Sequence, residues 1–132
     1  MQRIGVFLLI GLVLGLCPAP PGTRAEDPQP LDPLGKITFP LEGLNQDGLM
    51  GPPDGLRALS YEFCIPGDAA HEAQVRAIDP TLQVFHKSRG RIGCGPGDYL
   101  CVGSTHQPGF RTVLLKLASL PFVRRIDQAF FE

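Results

Sequence analysis

Leu59, Tyr61, Phe63 and Ile65 alternate with Ser60, Glu62 and Cys64, and Pro66-Gly67 stops the run. A period of two over this length is the mark of a strand with one buried face, so whatever folds here is built around a sheet that another layer must cover. Asp68 is a suitable N-cap for a helix over Ala69 to Ile78, which Pro80 ends; Ala70, Ala73, Ala77 and Ile78 would share its packing face. Leu82 to Cys94 reads as a long second strand with Leu82, Val84, Gly90, Ile92 and Cys94 on one side, bulged or broken near Ser88 to Gly90.

A third strand follows over Tyr99 to Thr105, with Leu100 and Val102 as its buried face. That parity demands an odd-numbered loop, Gly95-Pro96-Gly97, which pairs Ile92 with Leu100. Phe110, Val113, Leu114, Leu117 and Ala118 recur at helical spacing, and Pro121 closes the helix they define. The stretch Phe122 to Phe131 is rich in aromatic and β-branched residues and supplies a last strand, with Ile126 and Phe130 turned inward. Strand, helix, strand, strand, helix, strand is the order of an α+β ferredoxin-like βαββαβ sandwich, a four-stranded antiparallel sheet with two helices on one face.

This domain, residues 58–132, is preceded by two segments of different character. Residues 1–25 read as a signal peptide: Arg3 gives a positive start, Ile4 to Leu16 an apolar run, and Thr23-Arg24-Ala25 small residues flanking a cleavage site after Ala25. The run is shorter than a membrane span, so contact with a membrane is expected only through the uncleaved segment. Cys17 follows Leu16, not the small residue that lipid attachment favours, and whether it is lipidated stays open. The expected destination is the periplasm or the exterior. Residues 26–57 hold six prolines and five glycines in 32 residues and read as a linker or disordered arm, interrupted by short apolar islands at Ile37, Phe39, Leu41, Leu44, Leu49 and Met50. A tether is preferred to a docked arm, because no helix-length window shows a hydrophobic period.

Cleavage removes Arg3 and Arg24, leaving ten basic against thirteen acidic residues and a formal charge of -3. That balance speaks against nucleic acid, whose phosphates must be neutralised by many cations. Lys87, Arg89 and Arg91 line one side of the second strand, a sheet edge in this topology, where charges guard against strand-to-strand aggregation. The aromatics that an RNA-reading sheet needs are replaced by Ser60, Glu62 and Cys64. Lys87, Arg89, Arg91, Phe130 and Phe131 remain as candidate contacts to a partner, expected to be another protein. The oligomeric state is left open.

Export makes a disulfide the first reading of the mature cysteines. By parity Cys64 and Cys101 both oppose the apolar faces of neighbouring strands, so that pair is expected to bond, with Cys94 a partly buried free thiol. The alternative is a metal or redox site from Cys64, Cys94, Cys101 and His106, but C-x6-C-x4-H is not a common zinc spacing and no C-x-x-C is present. The glycines at 90, 93, 95 and 97 lack the Lys-Ser or Lys-Thr of a phosphate loop, and Ser104-Thr105-His106 has no orienting acid beside it. No cofactor is expected, and no catalytic set converges. The expected function is a non-catalytic exported domain that binds another protein through its open sheet face, edge strand or C-terminus.

The segment Val113-Leu114-Leu115-Lys116-Leu117-Ala118-Ser119-Leu120-Pro121-Phe122-Val123-Arg124-Arg125-Ile126-Asp127 resembles the last helix and strand of subtilisin prodomains and their free-standing inhibitor relatives. The resemblance covers about a fifth of the mature chain and implies a ferredoxin-like fold. It also implies a C-terminal tail, here Ala129-Phe130-Phe131-Glu132, laid into a protease cleft; the cysteines and the Gly-Pro-Gly hairpin depart from that family.

Overall fold

The computed structural model describes residues 32–131, together with the isolated Gly11 and Gly15. The expected signal peptide, its cleavage site and Cys17 lie outside the described residues, as do residues 26–31 of the arm. A short 3-10 turn at Pro33–Lys36 comes first, followed by a two-stranded hairpin, β1 (Leu49–Met50) and β2 (Arg57–Ala58). The main sheet then takes β3 (Ser60–Pro66), β4 (Gln83–Phe85), β5 (Asp98–Ser104) and β6 (Asp127–Ala129), with α1 (Ala69–Ile78) and α2 (Phe110–Ala118) between them. Its order is β4-β5-β3-β6, and every neighbouring pair is antiparallel.

β3 and α2 follow the sequence periods closely. Tyr61, Phe63 and Ile65 are buried with Leu114, Leu117 and Ala118, so the sheet presents one face to the helices and the amphipathic stripe of α2 closes over it. Asp68 caps α1 by accepting the His71 amide at 2.8 Å. The packing face of α1 is not its alanines: Val75 is the fully buried residue, while Ala70, Ala73 and Ala77 are exposed. Val75 carries more apolar surface than an alanine, and Ile78 packs beside it.

β5 corrects the expected parity. Phe63 faces Cys101 and Cys64 faces Leu100 in the β3–β5 register, so Cys101 lies on the helix side and Leu100 and Val102 on the other. Both faces of this central strand are covered, which erases the alternation that would have told them apart. The second strand is also shorter than expected. β4 pairs Val84 with Cys101 and Phe85 with Leu100, and the Ile92–Leu100 pairing and its odd-numbered loop do not form. Gly90 and Gly93 have φ of 62° and 81°, a left-handed backbone that turns the chain out of the sheet plane. The loop between β4 and β5 folds back instead, and Cys94 packs with Leu100, Val102 and Ala129 in a second, smaller cluster. The sheet therefore has no open face over these residues.

Residues 32–57 of the arm pack onto the domain. Phe39 and Leu44 are only 6 % and 4 % exposed and belong to the main core, with Ile37, Leu41 and Met50 packed against it. Arg111 on α2 donates to the carbonyls of Leu41 and Leu44, and the Thr105 hydroxyl donates to Gly48 O at 2.6 Å while accepting the Leu59 amide at 2.9 Å. A tether was expected because the apolar residues are too scattered to show a period. Phe39 and Leu44 are buried singly, and Leu44 is held by the turn to Leu41 and by Arg111.

Candidate functional site

Within this frame the polar interior is structural. Asp79, at the C-terminus of α1, is fully buried; its carboxylate accepts the Tyr61 hydroxyl and, at 2.8 and 2.6 Å, the Thr81 amide and hydroxyl. Gln107 donates to the Tyr61 oxygen at 3.3 Å and to Ser104 O at 2.8 Å. Burial, and then the Asp79 carboxylate, push the Tyr61 phenol far up, so it stays protonated and acts as a donor. Among the described residues no buried side-chain nitrogen or oxygen lacks a partner, and this network holds the end of α1 to the sheet.

The cysteines are paired otherwise than parity suggested. Cys64 and Cys94 form the disulfide, with Cα atoms 5.5 Å apart, and Cys101 is the buried free thiol. The reason is the inverted face of β5: Cys64 points away from the helices and meets the returning loop, whereas Cys101 lies among the helices. Burial, and then the Glu72 carboxylate, push the Cys101 thiol up to about 12, which suppresses the reactive thiolate. The expected Cys64–Cys101 pair and free Cys94 are thus replaced. The four-ligand set of Cys64, Cys94, Cys101 and His106 is not assembled, since two members are spent in the disulfide and a third lies across the sheet. No group of three or more His, Cys, Asp or Glu side chains suited to a metal occurs among the described residues.

His106 turns to Asp47, its Nδ1 lying 3.2 Å from that residue's carbonyl oxygen, while the Thr105 hydroxyl is engaged internally. Lys87, Arg89 and Arg91 are exposed, but they lie on the loop after β4, not along a strand, and Arg89 donates to Cys94 O at 3.1 Å.

The remaining candidate is the β6 edge. Ile126 is fully buried, and its amide and carbonyl bond to the arm: it donates to Lys36 O at 2.8 Å and accepts the Thr38 amide at 3.0 Å, a parallel bridge with Ile37. The neighbouring residues Asp127 and Ala129 stand opposite Glu62 and Ser60 of β3. Because strand polar groups alternate in direction, the amide and carbonyl of Gln128 point the same way as those of Ile126, outward, beyond the point where the arm departs.

Phe130 and Phe131 continue from that edge, 58 % and 73 % exposed; Phe130 is turned out, contrary to the inward position expected for it. Together with Met50, Pro52, Ala58 and Leu59 they line a groove of about 870 Å³ between the β1–β2 hairpin and β6. The wall contributed by the hairpin was not foreseen. Its only sequence signal is the apolar pair Leu49-Met50 inside a proline- and glycine-rich stretch.

No helix among the described residues is long and apolar enough to cross a membrane. The chain matches no protein-family model and no characterised protein, and its structure matches no solved structure.

Proposed function

We propose that the chain is an exported, non-catalytic domain that binds another protein by taking an extended segment of it onto the β6 edge, beside Phe130 and Phe131. The observation that carries this reading is the Ile126 bridge: the arm already uses this edge as a strand acceptor, and it leaves where Gln128 begins to offer the same bonds. Backbone pairing supplies affinity in such additions and flanking pockets supply selectivity. Two adjacent exposed phenylalanines above an apolar groove are the kind of anchor that interfaces favour. The disulfide agrees with an oxidising compartment.

Counted in chain order, the four strands of the main sheet lie 4-1-3-2, with a helix between the first and second and between the third and fourth. That order supports a ferredoxin-like reading of the domain. The segment resembling subtilisin prodomains forms most of α2, the Pro121 turn and the entry to β6, which favours a protease as the partner. Inhibition of a subtilisin-class protease is the direct test. Micromolar inhibition that disappears in Gln128→Pro, which removes the outward amide donor, and in the Phe130→Ser/Phe131→Ser double variant is the expected result. Absence of inhibition by the unaltered protein retires the protease partner, and turnover of a hydrolase or oxidoreductase substrate overturns the non-catalytic reading.

A further inference from the structure

A second concavity lies on the disulfide side of the domain, away from the groove beside Phe130 and Phe131. It measures about 580 Å³, within the range of small-ligand sites, and its lining is mixed in chemistry. Its lining includes the apolar residues Pro66, Ile92, Pro121 and Phe122 and the cations Arg124 and Arg125.

The cationic part of the lining is partly fixed in place. Arg125 donates to Ile92 O at 3.3 Å and pairs with Asp127 at 3.0 Å, which orients its guanidinium against the loop. Arg124 lines the same cavity and makes no ion pair with any of the described residues. Arg89 bonds the carbonyl of Cys94, itself a wall residue. The carboxylate lining the cavity is Asp98, whose Oδ2 accepts the Gly95 amide at 3.2 Å. The disulfide holds the loop that forms the floor.

The apolar part is held too. Phe122 is half-buried and packs against the His71 ring in a T-shaped contact, centroids 4.6 Å apart, which helps to fix its orientation. A planar guanidinium matches the oxygens of a sulfate or phosphate group with paired N–H donors, and an aromatic ring beside prolines accepts the C–H face of a pyranose. We propose that this cavity binds a sugar unit carrying a sulfate or phosphate ester, with Arg124 on the ester oxygens, Arg125 supporting it and the pyranose lying on Phe122.

The test is a titration of the isotopically labelled, oxidised domain with glucosamine 6-sulfate, glucose 6-phosphate, glucose and inorganic phosphate, followed by amide NMR. Saturable shifts at Gly93, Gly95 and Phe122 with either ester are expected, with glucose and inorganic phosphate each binding at least about tenfold more weakly. Saturation by the sulfate ester alone identifies a sulfated glycan, and by the phosphate ester alone a phosphorylated sugar; both support the site. Arg124→Ala should weaken the ester by at least about tenfold, while Arg124→Lys keeps part of the affinity and Lys116→Ala, on α2, keeps all of it. Inorganic phosphate binding as tightly as the esters would mean an adventitious ion only. That result, no shift with either ester, or equal affinity in Arg124→Ala, overturns the proposal.

Discussion

The Tyr61 hydroxyl donates to the Asp79 carboxylate in the interior, joining the middle of the sheet to the C-terminus of α1. The ring of Tyr61 lies over Gly103, its partner in the β3–β5 register, and a Cβ there would stand 2.6 Å from the ring. Tyr61→Phe removes a donor from a buried carboxylate without changing the shape of the core. Its expected cost is about 1–3 kcal/mol, measured by urea denaturation. Gly103→Ala should also destabilise, because the rigid ring has to move.

Reduction of the Cys64–Cys94 disulfide is expected to weaken the fold. A bond closing a separation of 30 residues is worth roughly 3–4 kcal/mol by the chain-entropy argument. Thiol counting gives the complementary reading. Among the described cysteines of the oxidised protein, Cys101 is the one free thiol and should react only after denaturant is added; ready reaction of Cys101 in the native state would contradict its burial.

The arm carries a prediction of its own. Leu44→Ala should cost about 2–5 kcal/mol, the range for a buried leucine, and a chain beginning at Ala58 should be far less stable than one that keeps residues 32–57. A tether would give no loss in either experiment, so thermal unfolding of the two chains separates the cases.

Acid should weaken α1. Asp68 is held below its usual carboxylate range, chiefly by the His71 amide and then the His71 ring, and Glu72 by the His86 ring and Arg76. A carboxylate depressed in the folded state contributes stability above its unfolded pKa and loses it as pH falls through the folded value. Stability should therefore decline as pH drops from about 4.5, the ordinary value for Glu72, and the decline should flatten in Asp68→Asn/Glu72→Gln. Melting temperatures across that interval decide the matter.

What could be read in the sequence follows from how many sides of each element are covered. α2 packs on one side, so its spacing and the prolines around it placed it well; α1 was bounded by Asp68 and Pro80 for the same local reasons. β5 is covered on both faces, and a strand reading TyrLeuCysValGly offers no polar residue to mark the outside. That one ambiguity exchanged Cys94 for Cys101. The parity of Leu82, Val84, Gly90, Ile92 and Cys94 ran through a loop by coincidence, because glycine at positive φ leaves no trace in a hydrophobic pattern. The candidate edge was half legible: Phe130 and Phe131 stood out, while the bridge between Ile37 and Ile126 that marks the edge joins residues far apart in the chain, which no local pattern encodes.

The position of Cys101 has a consequence for how the molecule comes together. The three cysteines among the described residues offer three ways to pair, yet in the paired β3 and β5 the sheet itself stands between Cys101 and the other two sulfurs. Joining Cys101 to Cys64 requires β3 or β5 to slip by a residue, which would turn either Tyr61, Phe63 and Ile65 or Cys101 itself to the opposite face of the sheet. Strand pairing thus chooses the correct oxidation partner, and the spare thiol is removed from later exchange by a wall of its own backbone.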